Sequence, residues 1–166
     1  MKLRISSLVV IGSLLLSTFF ATPTAADTGT GNNRTDFAGT ADFVSWTDIT
    51  PPEVKGNNTH VYVFTEWSFA TTDARVSGVY ALTGKCMWPD SRPLPWGPCS
   101  GTWTLDVNGD QAPDWTGTFA IGGQTYHTVW NGVGHGLGPY AGLHMSFNVY
   151  QIEPSPYRVT GQIHGS

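Results

Sequence analysis

The stretch "NGVGHGLGPYAGLHMSFNVYQ", residues 131–151, decides how this chain closes its sheet. Leu143, Met145, Phe147 and Val149 recur at every second position, the mark of a strand with one face turned to a core. Just ahead of them Gly132, Gly134, Gly136 and Gly138 keep the same period. One face of that strand is therefore bare, as a strongly coiled strand or a tight barrel corner requires. A nucleotide-binding reading of these glycines fails, because no helical pattern follows to present its N-terminus to a phosphate.

The same alternation extends outward from this stretch. Val61, Val63, Thr65, Trp67 and Phe69 share one face of "HVYVFTEWSFA", residues 60–70. Strand-like runs also occur near 36–46, 75–83, 101–106, 114–121, 124–136 and 156–164, whereas no window repeats apolar residues with helical spacing. The count is about eight strands, at a spacing that suits a sandwich or a barrel. From Gly101 onward the connections are short, which favours hairpin after hairpin over Greek-key crossings. The expected fold is all-β: a single antiparallel up-and-down β-barrel of about eight strands.

"GLGPYAG" at 136–142, the alternating strand after it and the closing "YRVTGQIHG" resemble the final hairpin of the allene oxide cyclase and dirigent-type β-barrels. "TTDARVSGVYAL" and the pair "GTWTL" and "DWTGTF" are similar to uncharacterised secreted relatives of that barrel. The resemblance spans most of the chain after residue 26 and rests on glycines and aromatics. It implies an eight-stranded barrel with an apolar cavity, often oligomeric, and carries over no catalytic residue. "GTW" and "WTGTF" also resemble the streptavidin barrel, without its ligand-contacting polar pattern.

The first 26 residues read as a signal peptide: Lys2 and Arg4, an apolar centre over Leu8–Phe20, then small residues before Asp27. That centre is shorter than the roughly 20 residues a spanning helix needs, and Pro23 follows it. The expectation is a secreted protein with one barrel domain over 27–166. The whole chain has a formal net charge of −4, and loss of Lys2 and Arg4 takes it to −6. With no basic patch, nucleic acid and anionic membranes are poor partners, while the resemblance to those barrels, often oligomeric, implies a homo-oligomer. No cysteine precedes Cys86, so a lipid-anchored route has no residue to use. Cys86 and Cys99 are the two cysteines, and export places them where disulfides persist. The loop they bound, "CMWPDSRPLPWGPC", holds four prolines and is expected to be neither helix nor strand.

"DVNGDQAPDW" is a candidate calcium loop, since Asp106, Asn108, Asp110 and Asp114 fall at relative positions 1, 3, 5 and 9. Gln111 stands where glycine normally turns such a loop, and Gly117 where a glutamate would close it. The competing reading is a hairpin turned at Asn108–Gly109, with aspartates there because turns favour them. Apart from calcium, no cofactor is expected. Glu66 and Arg75 flank the turn "SFATTDAR" and are the candidate catalytic pair: a carboxylate reaching into the barrel would have a raised pKa and could act as general acid or base. An ordinary surface ion pair is the alternative. The chain's five histidines show neither i, i+2 strand spacing nor a helical pair, so a metal cluster would have to assemble across strands, as His127 and His144 could. Among seven tryptophans, Trp67 and Trp130 are expected to line a cavity, and Trp88 and Trp96, in the proline-rich loop, to cover its mouth or meet a ligand. Asn33 and Asn57 satisfy the N-glycosylation pattern.

Three functions follow as expectations. The first is a barrel binding a small apolar or aromatic ligand in its cavity. The second is a cyclase or isomerase acting in that cavity, with Glu66 and Arg75 as its chemical groups. The third is an extracellular glycan or protein interaction module using Trp88 and Trp96.

Overall fold

Residues with period-two alternation pair side by side throughout the structure, a computed structural model that describes residues 34–89, 97–124, 127–150 and 156–166. The expected signal peptide and Trp96 lie outside the described residues. The strands are β1 (Thr35–Asp48), β2 (Glu53–Lys55), β3 (Asn58–Thr71), β4 (Gly78–Pro89), β5 (Cys99–Asp106), β6 (Trp115–Gln124), β7 (His127–Gly136), β8 (Leu143–Tyr150) and β9 (Tyr157–Gly165).

Each strand from β3 to β9 pairs antiparallel with the next. β1 joins β9 on one side and β3 on the other, which closes an eight-stranded up-and-down barrel. Closure removes the unpaired edges that an open sheet leaves. β2 is an extra strand, paired with the start of β3 through a turn at Gly56, whose φ is +64°. Its residues Glu53–Lys55 follow two prolines, so sequence periodicity does not reveal it.

The expectation that the segment from Cys86 to Cys99 avoids strand structure is corrected. β4 runs on to Pro89, β5 begins at Cys99, and Cys86 sits directly opposite Cys99. Their Cα atoms are 4.1 Å apart and the disulfide joins two neighbouring strands. Proline excludes a residue from donating to a ladder, yet a strand can still end on one.

A row of inward positions runs round most of the barrel at one height. Register places Phe37 beside Gly161, Phe147 between Gly161 and Gly132, and Phe119 between Gly132 and Gly101. Phe147 fills the room that Gly132 leaves empty, Phe37 that of Gly161 and Phe119 that of Gly84, the alternation of large and small residues that lets a narrow barrel fill without overcrowding. Below this row the barrel is solid. Phe69 stacks on Tyr80 at 4.6 Å, and both pack against Phe147. Trp103, whose Nε1 donates to Thr118 O at 2.9 Å, closes the cluster. Trp115 seals the end, fully buried, stacked on Tyr140 and donating to Arg75 O at 2.8 Å. Aromatic residues bury large areas, so this plug is the main apolar contribution to stability at that end.

Candidate functional site

The other half of the barrel is hollow. A cavity of about 500 Å³ opens at the end that carries the β1–β3, β4–β5, β6–β7 and β8–β9 connections. Its walls come from alternating inward positions: Val63, Thr65 and Trp67 of β3, Leu82 and Cys86 of β4, Cys99 of β5, Phe119 and Ile121 of β6, Trp130 of β7 and Tyr157 of β9. Gly97, just before Cys99, completes the rim near the disulfide. Parity alone places these side chains, because on a strand every second residue faces the interior.

Trp67 is the centre of the lining. Trp130 meets it edge to face at 4.3 Å, Tyr157 at 5.0 Å and Phe43 at 5.2 Å. Such T-shaped pairs add roughly 0.5–1.5 kcal/mol beyond the area they bury, and here they hold the rings as rigid walls. Trp67 Nε1 donates to Thr65 Oγ1 at 3.1 Å, whereas Trp130 Nε1 is buried without a partner. The lip belongs to β1, where the register slips between Phe43 and Ser45. That bulge leaves Phe43 52% and Trp46 38% exposed at the mouth, and Trp46 Nε1 is fixed by Asp48 at 2.6 Å. Bulges commonly re-aim side chains beside a binding site.

Among the described lining residues the polar side chains are the Thr65 hydroxyl, the Tyr157 phenol and the indole N–H groups of the tryptophans; no carboxylate, imidazole, ammonium or guanidinium takes part. The candidate catalytic pair, Glu66 and Arg75, lies outside this lining. Because Trp67 faces inward, Glu66 must face outward, where it accepts a 2.8 Å hydrogen bond from Ser45 Oγ. Arg75 belongs to the plugged end and binds Asp73, with Nη2 2.6 Å from Oδ2. That hydrogen bond, helped by the Arg75 charge, holds the Asp73 carboxyl below its usual range and raises the guanidinium, both against desolvation. Asp73 Oδ1 also accepts from Arg75 N, capping a 3-10 turn at Ala74–Val76. Glu66 and Arg75 are not brought together.

Of the residues proposed to meet a ligand, Trp67 and Trp130 face the cavity. Trp88 is half-buried against the core and paired with Thr59. Phe43, Trp46, Phe119 and Tyr157 were not singled out from sequence. Their parity signal is present in the strand runs, but which height of the barrel stays open depends on the glycine row, which only register reveals.

In the β5–β6 connection, each of the four oxygen-bearing side chains accepts from a backbone amide. Asp106 accepts from Gly109 N at 2.7 Å and Gln111 N at 2.8 Å, Asn108 from Asp110 N at 2.9 Å and Asp110 from Ala112 N at 2.8 Å. Asp114 is buried and accepts from Val107 N at 2.9 Å. Gln111, at the position where calcium loops favour glycine, adopts a φ of 68°. Asn and Asp side chains commonly stabilise turns in this way. Among the described residues no group of three or more His, Cys, Asp or Glu side chains is drawn together around one point.

Comparison of the chain with models of protein families, with curated proteins and with solved structures finds no match.

Proposed function

We propose that this chain is an exported barrel that binds a small apolar or aromatic molecule in its open half without transforming it. The observation that carries this reading is the cavity: about 500 Å³ within a rigid barrel, walled by aromatic and aliphatic side chains. Sites for small organic ligands typically span roughly 300–1,000 Å³ and are apolar with a few polar groups to set orientation. Thr65, Tyr157 and the indoles supply those groups, and Phe43 and Trp46 extend the apolar surface over the mouth. Edge-to-face packing around Trp67 keeps the walls in place before a ligand arrives, which lowers the ordering cost of binding. An apolar cavity is also what the resemblance to allene oxide cyclase and dirigent-type barrels implies. The Cys86–Cys99 bond is compatible with an extracellular site of action, and no helix among the described residues is long and apolar enough to cross a membrane. A cyclase or isomerase has less support, since the described lining offers hydroxyl and indole groups but no carboxylate or imidazole.

Native mass spectrometry of protein secreted by its own source tests the reading, with an environment-sensitive naphthalene sulfonate dye as an added probe. The expected result is a bound organic mass, or saturable dye binding at one site, that is lost in Ile121→Trp, where an indole fills the mouth. Unchanged dye binding in a folded Ile121→Trp variant, or conversion of the recovered molecule to product, would overturn it.

A further inference from the structure

Three of the five histidines, far apart in sequence, lie side by side on the outside of the barrel. Register places His135 of β7 directly opposite His144 of β8, and His144 directly opposite His164 of β9. Their strand neighbours Gly136, Met145 and Ile163 are buried, so the imidazoles share the opposite, outer face, and all three are exposed. This is the assembly across strands that the sequence spacing left as the single route to a histidine metal site, with a different set from His127 and His144. His127 pairs with Gln124 at the far end of β7.

We propose that His144 and His164, with His135 as third ligand, form a surface site for a divalent transition-metal ion of the zinc class. The rings of His144 and His164 have centroids 5.5 Å apart at an interplanar angle of 48°. Two imidazoles bound to one tetrahedral ion with Zn–N of about 2.0–2.1 Å have ring centres roughly 5 Å apart. The pair already stands near that separation. His135 is one strand further along the same row, where neighbouring strands lie about 4.8 Å apart. None of the three side chains makes a hydrogen bond or ion pair among the described residues, so their ring nitrogens are available.

As they stand the three rings do not close around a common point. Closing them needs rotation about χ1 and χ2 of exposed side chains, which costs rotamer freedom. The backbone beneath is a closed sheet, so the ligands' origins are fixed even though their rings turn. Imidazole donors suit zinc, copper and nickel, and three of them on a tetrahedral ion leave one position for water or an external ligand. The row lies toward the plugged end, on the outer face, away from the cavity. Metal binding there is therefore independent of what the cavity holds.

Isothermal titration of untagged, disulfide-intact protein with zinc chloride at pH 7.5 tests the site. One ion per chain is expected, with affinity falling at least about tenfold in His144→Ala and in His164→Ala, less in His135→Ala, and unchanged in His60→Ala. His135, His144 and His164 are exposed, so replacing them leaves the core intact, and circular dichroism confirms this for them and for the half-buried His60. Absence of zinc binding in the parent, or parent-like binding by the double variant His144→Ala/His164→Ala, would overturn the proposal. One ion per two chains, with dimers forming only in zinc, would also overturn an intrachain site.

Discussion

The ring of Phe147 stands where a side chain on Gly132 would begin: a Cβ built there falls inside contact distance of three of its ring atoms. Gly161, on the other side of Phe147, is closed off in the same way by Phe37. These glycines are therefore part of the packing, and their lost methyl groups are the space the rings occupy. Gly132→Ala should cost about 1–3 kcal/mol by overpacking, read as a lower urea midpoint with an unchanged slope. Pairing it with Phe147→Leu should restore part of that loss, because the two changes compensate in volume. Additive losses in the double variant would show that the clash is relieved elsewhere.

Strand parity made much of this legible beforehand. Val61, Val63, Thr65, Trp67 and Phe69 face inward as their alternation requires, and the bare glycine face of β7 lies where a tightly filled barrel needs it. Parity also placed Glu66 on the opposite face from Trp67, and an outer-face glutamate cannot reach the cavity across the sheet. What no local pattern encodes is lateral register. The meeting of Cys86 with Cys99 as strand partners, the Phe–Gly row and the line of His135, His144 and His164 all depend on which residues of separate strands fall side by side. Prolines also obscured the short β2 and the end of β4, where strand pairing persists up to the proline itself.

Tyr80 presents an unusual balance at the floor of the barrel. It is fully buried, its hydroxyl has no hydrogen-bond partner, and burial pushes its pKa well above the ordinary value of 10.0. Tyr80→Phe removes an unsatisfied polar atom and keeps the ring stacked on Phe69, so it should stabilise the fold by about 1 kcal/mol at neutral pH. The sign at high pH follows from linkage. The folded state holds the phenol proton that the unfolded chain releases above about pH 10, so stability contributed by the neutral phenol is full below that pH and falls as pH rises further. The advantage of Tyr80→Phe should therefore widen above pH 10 by up to about 1.4 kcal/mol per pH unit. Parallel curves for the two proteins between pH 9 and 11.5 would contradict the assignment.

The disulfide should act mainly on the unfolded chain. Cys86 and Cys99 are already held opposite one another by strand pairing, so the bond adds little new order to the folded state. Closing a loop across 13 residues of sequence removes about 3 kcal/mol of unfolded-state entropy in the chain-entropy model. Replacing both cysteines by alanine should lower stability by about that amount, with a steeper urea dependence as the unlinked chain exposes more surface. A loss below about 1 kcal/mol would mean that the proline-rich loop restricts the unfolded chain without help.

Asp114 separates two roles for the "DVNGDQAPDW" loop, because it alone of the four oxygen-bearing residues is buried. Its Oδ2 accepts from Val107 N, its own N–H donates to Leu105 O at 2.9 Å, and its carbonyl accepts from Leu137 N at 2.7 Å. One residue thus ties the β5–β6 connection to the segment after β7. Asp114→Ala leaves the Val107 amide without its acceptor, which should cost about 1–3 kcal/mol, while Asp114→Asn keeps an acceptor and should lose less. Asp110 caps an exposed amide that water can serve instead, so Asp110→Ala should change stability by no more than about 0.5 kcal/mol. Thermal melts of the parent and all three variants, with chelator and with millimolar calcium, check this order. If the carboxylates act as amide acceptors, the order holds in both solutions and the parent's melting temperature does not move. A rise in the parent with calcium that disappears in Asp110→Ala would instead assign the loop to an ion, since an exposed side chain then matters only through what it ligates.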